Sequence, residues 1–297
     1  MANSNGWGDG AANNAIGWGQ GANNNIGWGK SHSLSSAGLT DIVGLTTDSD
    51  AQAFITAAAI TDATQQSAID TLVKGLKTDG IWTKMKAIYP FVGGTASTHK
   101  YNLKDPRDLD AAFRLVFNGG WTHSSTGATP NGTNGYANTY LNQSGNLTPS
   151  NNHISLYSRS NNLAYQIDSG VTNNTSFSFS QLLFSTNAIF ENGSQVINTS
   201  TPNSLGLFLG ASTSSTNSKL YKNGTSIASS TTSQARTMFN NNIYLATTNV
   251  STTNLPAGIY SAKQYAFSSI GDGLTDTEAS NLYSRVQQFQ VSLSRNV

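Results

Sequence analysis

Apolar positions change their period twice along this chain. Between residues 46 and 93 they recur at helical spacing. In DSDAQAFITAAAI, Ala51, Phe54, Ile55 and Ala58 fall at i, i+3, i+4 and i+7. Asp62, with Gln65 three residues on, opens ATQQSAIDTLVKGLK, where Ile69, Leu72, Val73 and Leu76 form a second stripe. Trp82, Met85, Ile88 and Tyr89 continue the apolar, helical stretch until Pro90 stops it. Two short helices cannot bury such faces alone. They must pack on the following domain, on copies of the chain or on a partner.

From residue 101 the period shortens to two. AFRLVFNGG sets Phe113, Leu115 and Phe117 against Arg114 and Val116. HISLYSRS, LAYQIDSG, SFSFSQLLF, SLGLFLGAS, NNIYLAT and GIYSAKQYAF follow, separated by Asn-, Ser- and Gly-rich turns. IFENGSQVI and LYKNGTSIA place Asn-Gly between strand-like runs, the strongest short-range hairpin signal. Many short strands joined in this way predict an antiparallel two-sheet sandwich. LTDTEASNLYSRVQQFQ then returns to helical spacing. Thr275 and Glu278 make a capping box, and Leu282, Tyr283, Val286 and Phe289 face inward. The expected fold is mostly β: a sandwich over 101–297 with a C-terminal helix, after a small helical docking segment over 46–100.

Residues 1–45 fit neither period. GWGDGAANNAIGWGQGANNNIGWGK repeats Gly-Trp-Gly at Trp7, Trp18 and Trp28, spacings too short for a solenoid or propeller repeat. Glycine on both sides of each Trp opposes helix. Two readings stand: a low-complexity disordered tail, or an extended anchoring arm with Trp7, Trp18 and Trp28, flanked by Ile16 and Ile26, as its contacts.

Composition narrows the partners. Only 10% of the 297 residues are charged, the net charge is +1 and Cys is absent; the polarity comes from Asn, Ser, Thr and Gly. No basic field exists to attract nucleic acid. No apolar run is long enough to span a bilayer, and the first residues lack the pattern of a signal peptide.

Late in the chain, KLYKNGTSIASS, NNIYLAT and YAFSSIGDGLTDTEASNLYSRVQQF occur in that order. Leu220, Tyr221, Asn223 and Gly224, then Leu274, Thr275, Glu278, Leu282 and Tyr283, resemble the end of concanavalin-like jelly rolls of the laminin-G type. The resemblance covers roughly the last two-thirds of the chain and implies a jelly-roll sandwich. A wider arrangement resembles virion proteins of tailed phages infecting Bacteroidetes. It comprises the Gly-Trp-Gly tail, GIWTKMKAIYPFVGGTASTHKYNLKDPRDLDAAFRLVFNGGWTHS, PNGTNGYANTYLN and IGDGLTDTEA. That resemblance implies a structural protein assembled in the host cytoplasm and exposed on the particle, as a tail or head fibre or a decoration. Its partners would be other virion proteins and copies of itself, a trimer being one form. The alternative is a glycan-binding adhesin of the adsorption apparatus, with a host surface glycan as partner.

Catalysis is not expected. Glycosidases on jelly rolls need paired carboxylates, whereas this chain has only two glutamates. Glu191 precedes a hairpin turn, Glu278 belongs to the helix cap, and Asp168, Asp272 and Asp276 sit on no alternating carboxylate strand. No Gly-x-Ser-x-Gly elbow appears. No cofactor is expected. His32, His99, His123 and His153 lack metal-ligand spacing, so no transition-metal site is expected either. Asp272 and Asp276 in GDGLTD leave calcium open, with a turn and helix start as the simpler role. The loop GGWTHSSTGATPNGTNGY offers Trp121, His123, Asn131, Asn134 and Tyr136, a mixture of aromatic faces and amides suited to a sugar. A loop buried against a neighbouring subunit would use the same residues.

Overall fold

The computed structural model describes residues 46–297, except 174–177, 185, 194 and 234–237. The arm, with Trp7, Ile16, Trp18, Ile26 and Trp28, lies outside the described residues. In chain order the elements begin α1 (Ser49–Ala57), α2 (Ala63–Thr78), β1 (Met85–Tyr89), α3 (Ala96–His99), β2 (Val116–Asn118), β3 (Trp121–Ser124), β4 (Gly127–Pro130), β5 (Tyr136–Asn142) and α4 (Gln143–Asn146). Then come β6 (Asn152–Ser158), β7 (Gln166–Thr172), β8 (Ser178–Phe184), β9 (Asn187–Gly193), β10 (Gln195–Ser200), β11 (Gly206–Ser214), β12 (Asn217–Lys222) and β13 (Thr225–Ser230). The chain finishes with β14 (Asn242–Leu245), β15 (Asn249–Val250), β16 (Leu255–Pro256), β17 (Tyr265–Gly271) and α5 (Asp276–Ser292).

The strands make two sheets, antiparallel apart from a short parallel contact of β15 with β7. The eight-stranded sheet runs β13-β12-β11-β6-β17-β4-β3, with β1 also on β17. The nine-stranded sheet runs β10-β9-β8-β7-β14-β5-β2, with β15 and β16 added beside β7. This is the expected antiparallel jelly-roll sandwich with a C-terminal helix. At the β12–β13 turn Lys222 pairs with Thr225, and Asn223 and Gly224 take φ of 50° and 75°. Two successive left-handed residues define the type I′ turn that matches strand twist. α5 begins with the reciprocal Thr275–Glu278 capping box, while Asp62 caps α2 by accepting the N–H of Gln65.

Two cores separate three layers. Between the sheets, Ile154, Leu156, Phe190, Phe208, Leu220, Leu245 and Ile270 interlock. Phe190 lies directly on Gly210, where a Cβ would come within 2.1 Å of its ring. On the other face of the eight-stranded sheet, Tyr157, Leu207, Leu209, Tyr221 and Phe267 meet α1, α2 and α5 through Phe54, Ile69, Leu72, Leu76, Leu282, Val286 and Phe289. α2 and α5 approach closely at Gly75, where a Cβ would lie 2.6 Å from Arg285 Cδ; the Arg285 guanidinium reaches over to Asp79 with bonds of 2.7 and 3.0 Å. The helices therefore pack on the sandwich, the first of the three options open in the sequence. Residues 47–297 form one compact unit, in which the helices and the sandwich are packed together.

A second correction concerns Met85–Tyr89, expected to continue the helical stretch. It is strand β1, paired with β17 through Ile88↔Ser269 and Tyr89↔Ser268. Met85 and Ile88 enter the helix-facing core, and Ala87 and Tyr89 the inter-sheet core. Burial on both faces removes the alternation by which a strand is recognised. A third concerns AFRLVFNGG, where only Val116–Asn118 is strand. A 3-10 turn at Asp110–Ala112 and a left-handed Phe113 (φ 59°) precede it, and the Tyr89 hydroxyl donates to the Phe113 carbonyl at 2.7 Å.

Burial patterns show which sandwich face remains open. β6 and β17 are buried at every position, as expected of strands covered on both sides. β5 alternates half-buried and buried throughout, and β9 does so over most of its length. The helical layer covers the eight-stranded sheet, while the nine-stranded sheet has half-buried outward positions along β5 and β9; β7 between them is buried at all but its last position. Among the described residues, no helix is long and apolar enough to cross a membrane.

Candidate functional site

The outer face of the nine-stranded sheet gathers tyrosines. Along β5, Ala137, Thr139 and Leu141 point into the sandwich, so Tyr136, Asn138, Tyr140 and Asn142 point out. On β14, Ile243 and Leu245 are core residues, which turns Tyr244 to the same outer face opposite Asn138. The Tyr136 and Tyr244 rings meet with centroids 4.9 Å apart and planes tilted by 31°; Tyr244 is buried at 6% exposure beneath the half-buried Tyr136 and Tyr140. A β-bulge brings Tyr140 to them: between the pairs Asn242↔Asn142 and Tyr244↔Asn138, β5 carries two extra residues. Tyr140 adopts φ 54°, and the bulge is held by the Asn138 side chain accepting the Tyr140 N–H at 2.9 Å. The Thr139 hydroxyl donates to the Ile243 carbonyl at 2.7 Å and so replaces a missing ladder bond. A left-handed Tyr costs on the order of 1–3 kcal/mol, and such strain concentrates at functional positions.

Burial is the first cause that raises the Tyr136 phenol above its ordinary pKa, followed by the neighbouring phenols of Tyr260 and Tyr140. Tyr244 is raised by burial, then by Tyr136 and Tyr140. Tyr136 and Tyr244 are therefore held as protonated donors, with Tyr140 and Tyr260 in the same neighbourhood. The Tyr244 hydroxyl donates to the Asn254 carbonyl at 3.1 Å, which fixes the tip of the β15–β16 hairpin beside the rings. Among the described residues, the hydroxyls of Tyr136, Tyr140 and Tyr260 make no hydrogen bond. They are available to a ligand.

The five residues of the loop expected to hold a sugar are split by the structure. Only Tyr136 joins this platform. Trp121 and His123 stack in the seam between the sheets, 6.1 Å apart and 24° from parallel, against the edge of Phe117. The Trp121 indole N–H is shared between the Asn118 and Tyr136 carbonyls at 3.2 Å each, so its polar end is spent. Asn131 Oδ1 accepts the backbone N–H groups of Thr133, Asn134 and Gly135, and its Nδ2 donates to Asn134 Oδ1. Asn134 Oδ1 also accepts the Gly120 N–H at 3.0 Å, tying two loops together. Short amides in tight loops bond the local backbone; the oxygens of these two are occupied. Tyr140, Tyr244 and Tyr260 were not among the sequence candidates, although the outward series Tyr136, Asn138, Tyr140, Asn142 was readable in β5.

The aspartates singled out in the sequence, and Glu278, are engaged. Asp276 accepts Lys219 at 2.8 Å and the Tyr221 hydroxyl at 2.7 Å, and Asp272 faces Lys86 at 3.5 Å. Asp168 is wholly buried against Lys263, and Glu278 pairs with Lys84. Among the described residues, no group of three or more His, Asp or Glu is placed to hold a metal.

Two buried histidines give the domain an acid-sensitive component. His99 accepts the Gly94 N–H at Nε2, which leaves Nδ1–H to donate to His123 Nδ1 at 2.9 Å. Burial, followed by His123 and Arg295, brings His99 down to about 3. Burial brings His153 down to about 4 while its ring bonds the Asp272 carbonyl and Ser269. Both are depressed below the unfolded value, so the unfolded chain binds more protons as pH falls below about 6.5. Their full stabilisation is present above that pH and is lost on acidification. The expected loss is on the order of 2 kcal/mol per histidine by pH 5, read from urea unfolding at pH 7 and pH 5. Equal midpoints at the two pH values would contradict the burial of these rings.

No protein family and no curated protein sequence matches the chain. Among solved structures it is similar to the botulinum neurotoxin serotype C1 binding domain, at 17% identity over 59% of this chain and 48% of that one, TM-score 0.38. The receptor binding domain of botulinum neurotoxin C/D mosaic serotype matches at 11% identity over 69% and 52%, TM-score 0.44. Trypanosoma rangeli sialidase in complex with sialic acid matches at 10% identity over 72% and 38%, TM-score 0.46. The chain spans about half of the neurotoxin chains and less of the sialidase. At these identities no site residue carries over.

Proposed function

We propose that the sandwich is a glycan-binding, receptor-recognition domain, displayed on a tailed-phage particle and anchored there by the Gly-Trp-Gly arm. The observation that carries the binding reading is the tyrosine platform on the sandwich face that the helices leave open. Ring faces take the C–H surfaces of a sugar, and phenol hydroxyls exchange hydrogen bonds with its hydroxyls. A shallow site of this kind binds weakly alone and gains through several copies on one particle. The phage setting rests on the sequence resemblance, as do assembly with other virion proteins and with copies of the chain. A non-catalytic role is supported by the carboxylates: Asp168 and Glu278 are paired with lysines, and Glu191 stands apart on β9.

Tyr140→Gly separates binding from folding. Glycine suits the left-handed backbone at 140, so the melting temperature is expected to stay within a few degrees. Loss of the ring is expected to weaken glycan binding about tenfold, since aromatic contacts are worth about 0.5–1.5 kcal/mol beyond the area they bury. Unchanged affinity would remove Tyr140 from the site. For the arm, a chain beginning at Lys30 is expected to fold and bind glycan yet fail to enter particles. Normal incorporation of that chain would reject the anchor.

A further inference from the structure

We infer that the platform selects a neutral glycan, one without sialic acid or another carboxylate sugar; this rests on the platform reading above. The strands that build the site, β5 and β14, and their neighbours β2, β15 and β16 carry no charged residue; β7, on the other side of β14, carries Asp168, which is buried against Lys263. From Val116 to Ser158, which takes in β2 to β6, there is no Lys, Arg, Asp or Glu, and none from Met238 to Ala262, which takes in β14 to β16. Arg236, just before the second run, lies outside the described residues; the other charges that bracket these runs are engaged. Lys263 is buried against Asp168, Arg114 is held by Asp108 and Asp110 at 2.8 Å each, and Arg159 donates to the Arg295 carbonyl at 2.7 Å. Glu191 faces outward on the same sheet from β9, three strands away from β14. At the usual strand spacing that is about 14 Å, and its sign is wrong for an acidic ligand.

The physical consequence concerns desolvation. A carboxylate laid on these tyrosines gives up water and meets no cation among the described residues, which is unfavourable unless the charge is paired. Sugar hydroxyls are neutral and both donate and accept, as do phenols and the Asn138 amide. Asn138 is already oriented by its bond to the Tyr140 N–H, and among the described residues its Nδ2 makes no other bond. Binding without ion pairs is also insensitive to salt.

The test uses matched glycan pairs: a neutral oligosaccharide and the same oligosaccharide capped with sialic acid or a hexuronic acid. The full chain is titrated with each in 50 and 500 mM NaCl, alongside Tyr140→Gly and Tyr136→Phe. The expected result is binding of neutral members, at least tenfold weaker binding of their acidic partners, and less than a twofold change with salt. Tyr140→Gly should weaken binding of the neutral members about tenfold, and Tyr136→Phe, which keeps the ring and removes the hydroxyl, should weaken it less. Preference for acidic members that is lost in Tyr140→Gly would overturn neutrality and leave the platform standing. Binding indifferent to both variants, or no binding by any pair, would overturn the platform together with this inference.

Discussion

Replacing Asp168 with Asn is expected to destabilise the domain by about 3–5 kcal/mol, the cost of leaving a buried charge without its partner. Both side chains of the Asp168–Lys263 pair are fully buried, with Nζ to carboxylate distances of 3.1 and 2.9 Å. Ser261 donates to the same carboxylate at 2.8 Å, and the Tyr265 hydroxyl donates to the Asp168 carbonyl at 2.9 Å. The pair therefore joins β7 to the segment leading into β17. Burial already lowers the Lys263 pKa, with Asp168 opposing the shift. Without the carboxylate the shift deepens, and the variant should regain stability as pH rises toward the unfolded lysine value near 10.4. The double variant Asp168→Asn, Lys263→Met should recover most of the loss. A loss below about 1 kcal/mol in urea unfolding would contradict the buried pair.

Replacing Arg295 with Met is expected to cost a similar amount, about 3–5 kcal/mol, because it strands several buried acceptors at once. The guanidinium is 1% exposed and has no carboxylate partner among the described residues. Nε donates to Gln290 Oε1 at 2.8 Å, Nη1 to the Phe91 carbonyl at 2.8 Å, and Nη2 to the Pro90 and Ala266 carbonyls at 3.0 Å each. One side chain thus fastens the end of α5 to the segment after β1 and to β17. Burial, followed by the charge of Arg159, brings its pKa down to about 9. Arg295→Lys should not rescue stability, since one ammonium cannot reproduce the planar fork. Equal denaturation midpoints for Arg295→Lys and the parent would refute this account of the lock.

Legibility in the sequence followed how much of each signal was local. α1, α2 and α5 announced themselves by apolar spacing and caps, and the β12–β13 turn by Asn223-Gly224. β1 did not, because an element buried on both faces loses its period; its strand character depends on pairing with β17, some 180 residues away. The buried Arg295 and the Asp168–Lys263 pair gave no local sign for the same reason. At the candidate site, Tyr136 was readable as an aromatic beside amides. Tyr244 and Tyr260 join it only through the β5–β14 ladder and the loops after it. Asn131 and Asn134 show the converse: residue type suggested free amides, and the fold spends their oxygens on its own loops.

The central claim, that the face left open by the helices is the binding face, is tested most directly by backbone amide shift mapping. The labelled protein is titrated with the neutral glycan it binds best. The account predicts that shifts concentrate on Tyr136–Asn142, Asn242–Leu245 and the segment from Asn249 to Tyr260. Shifts centred on the Trp121–Asn134 loop or on α5 and β12, with β5 and β14 unmoved, would contradict it.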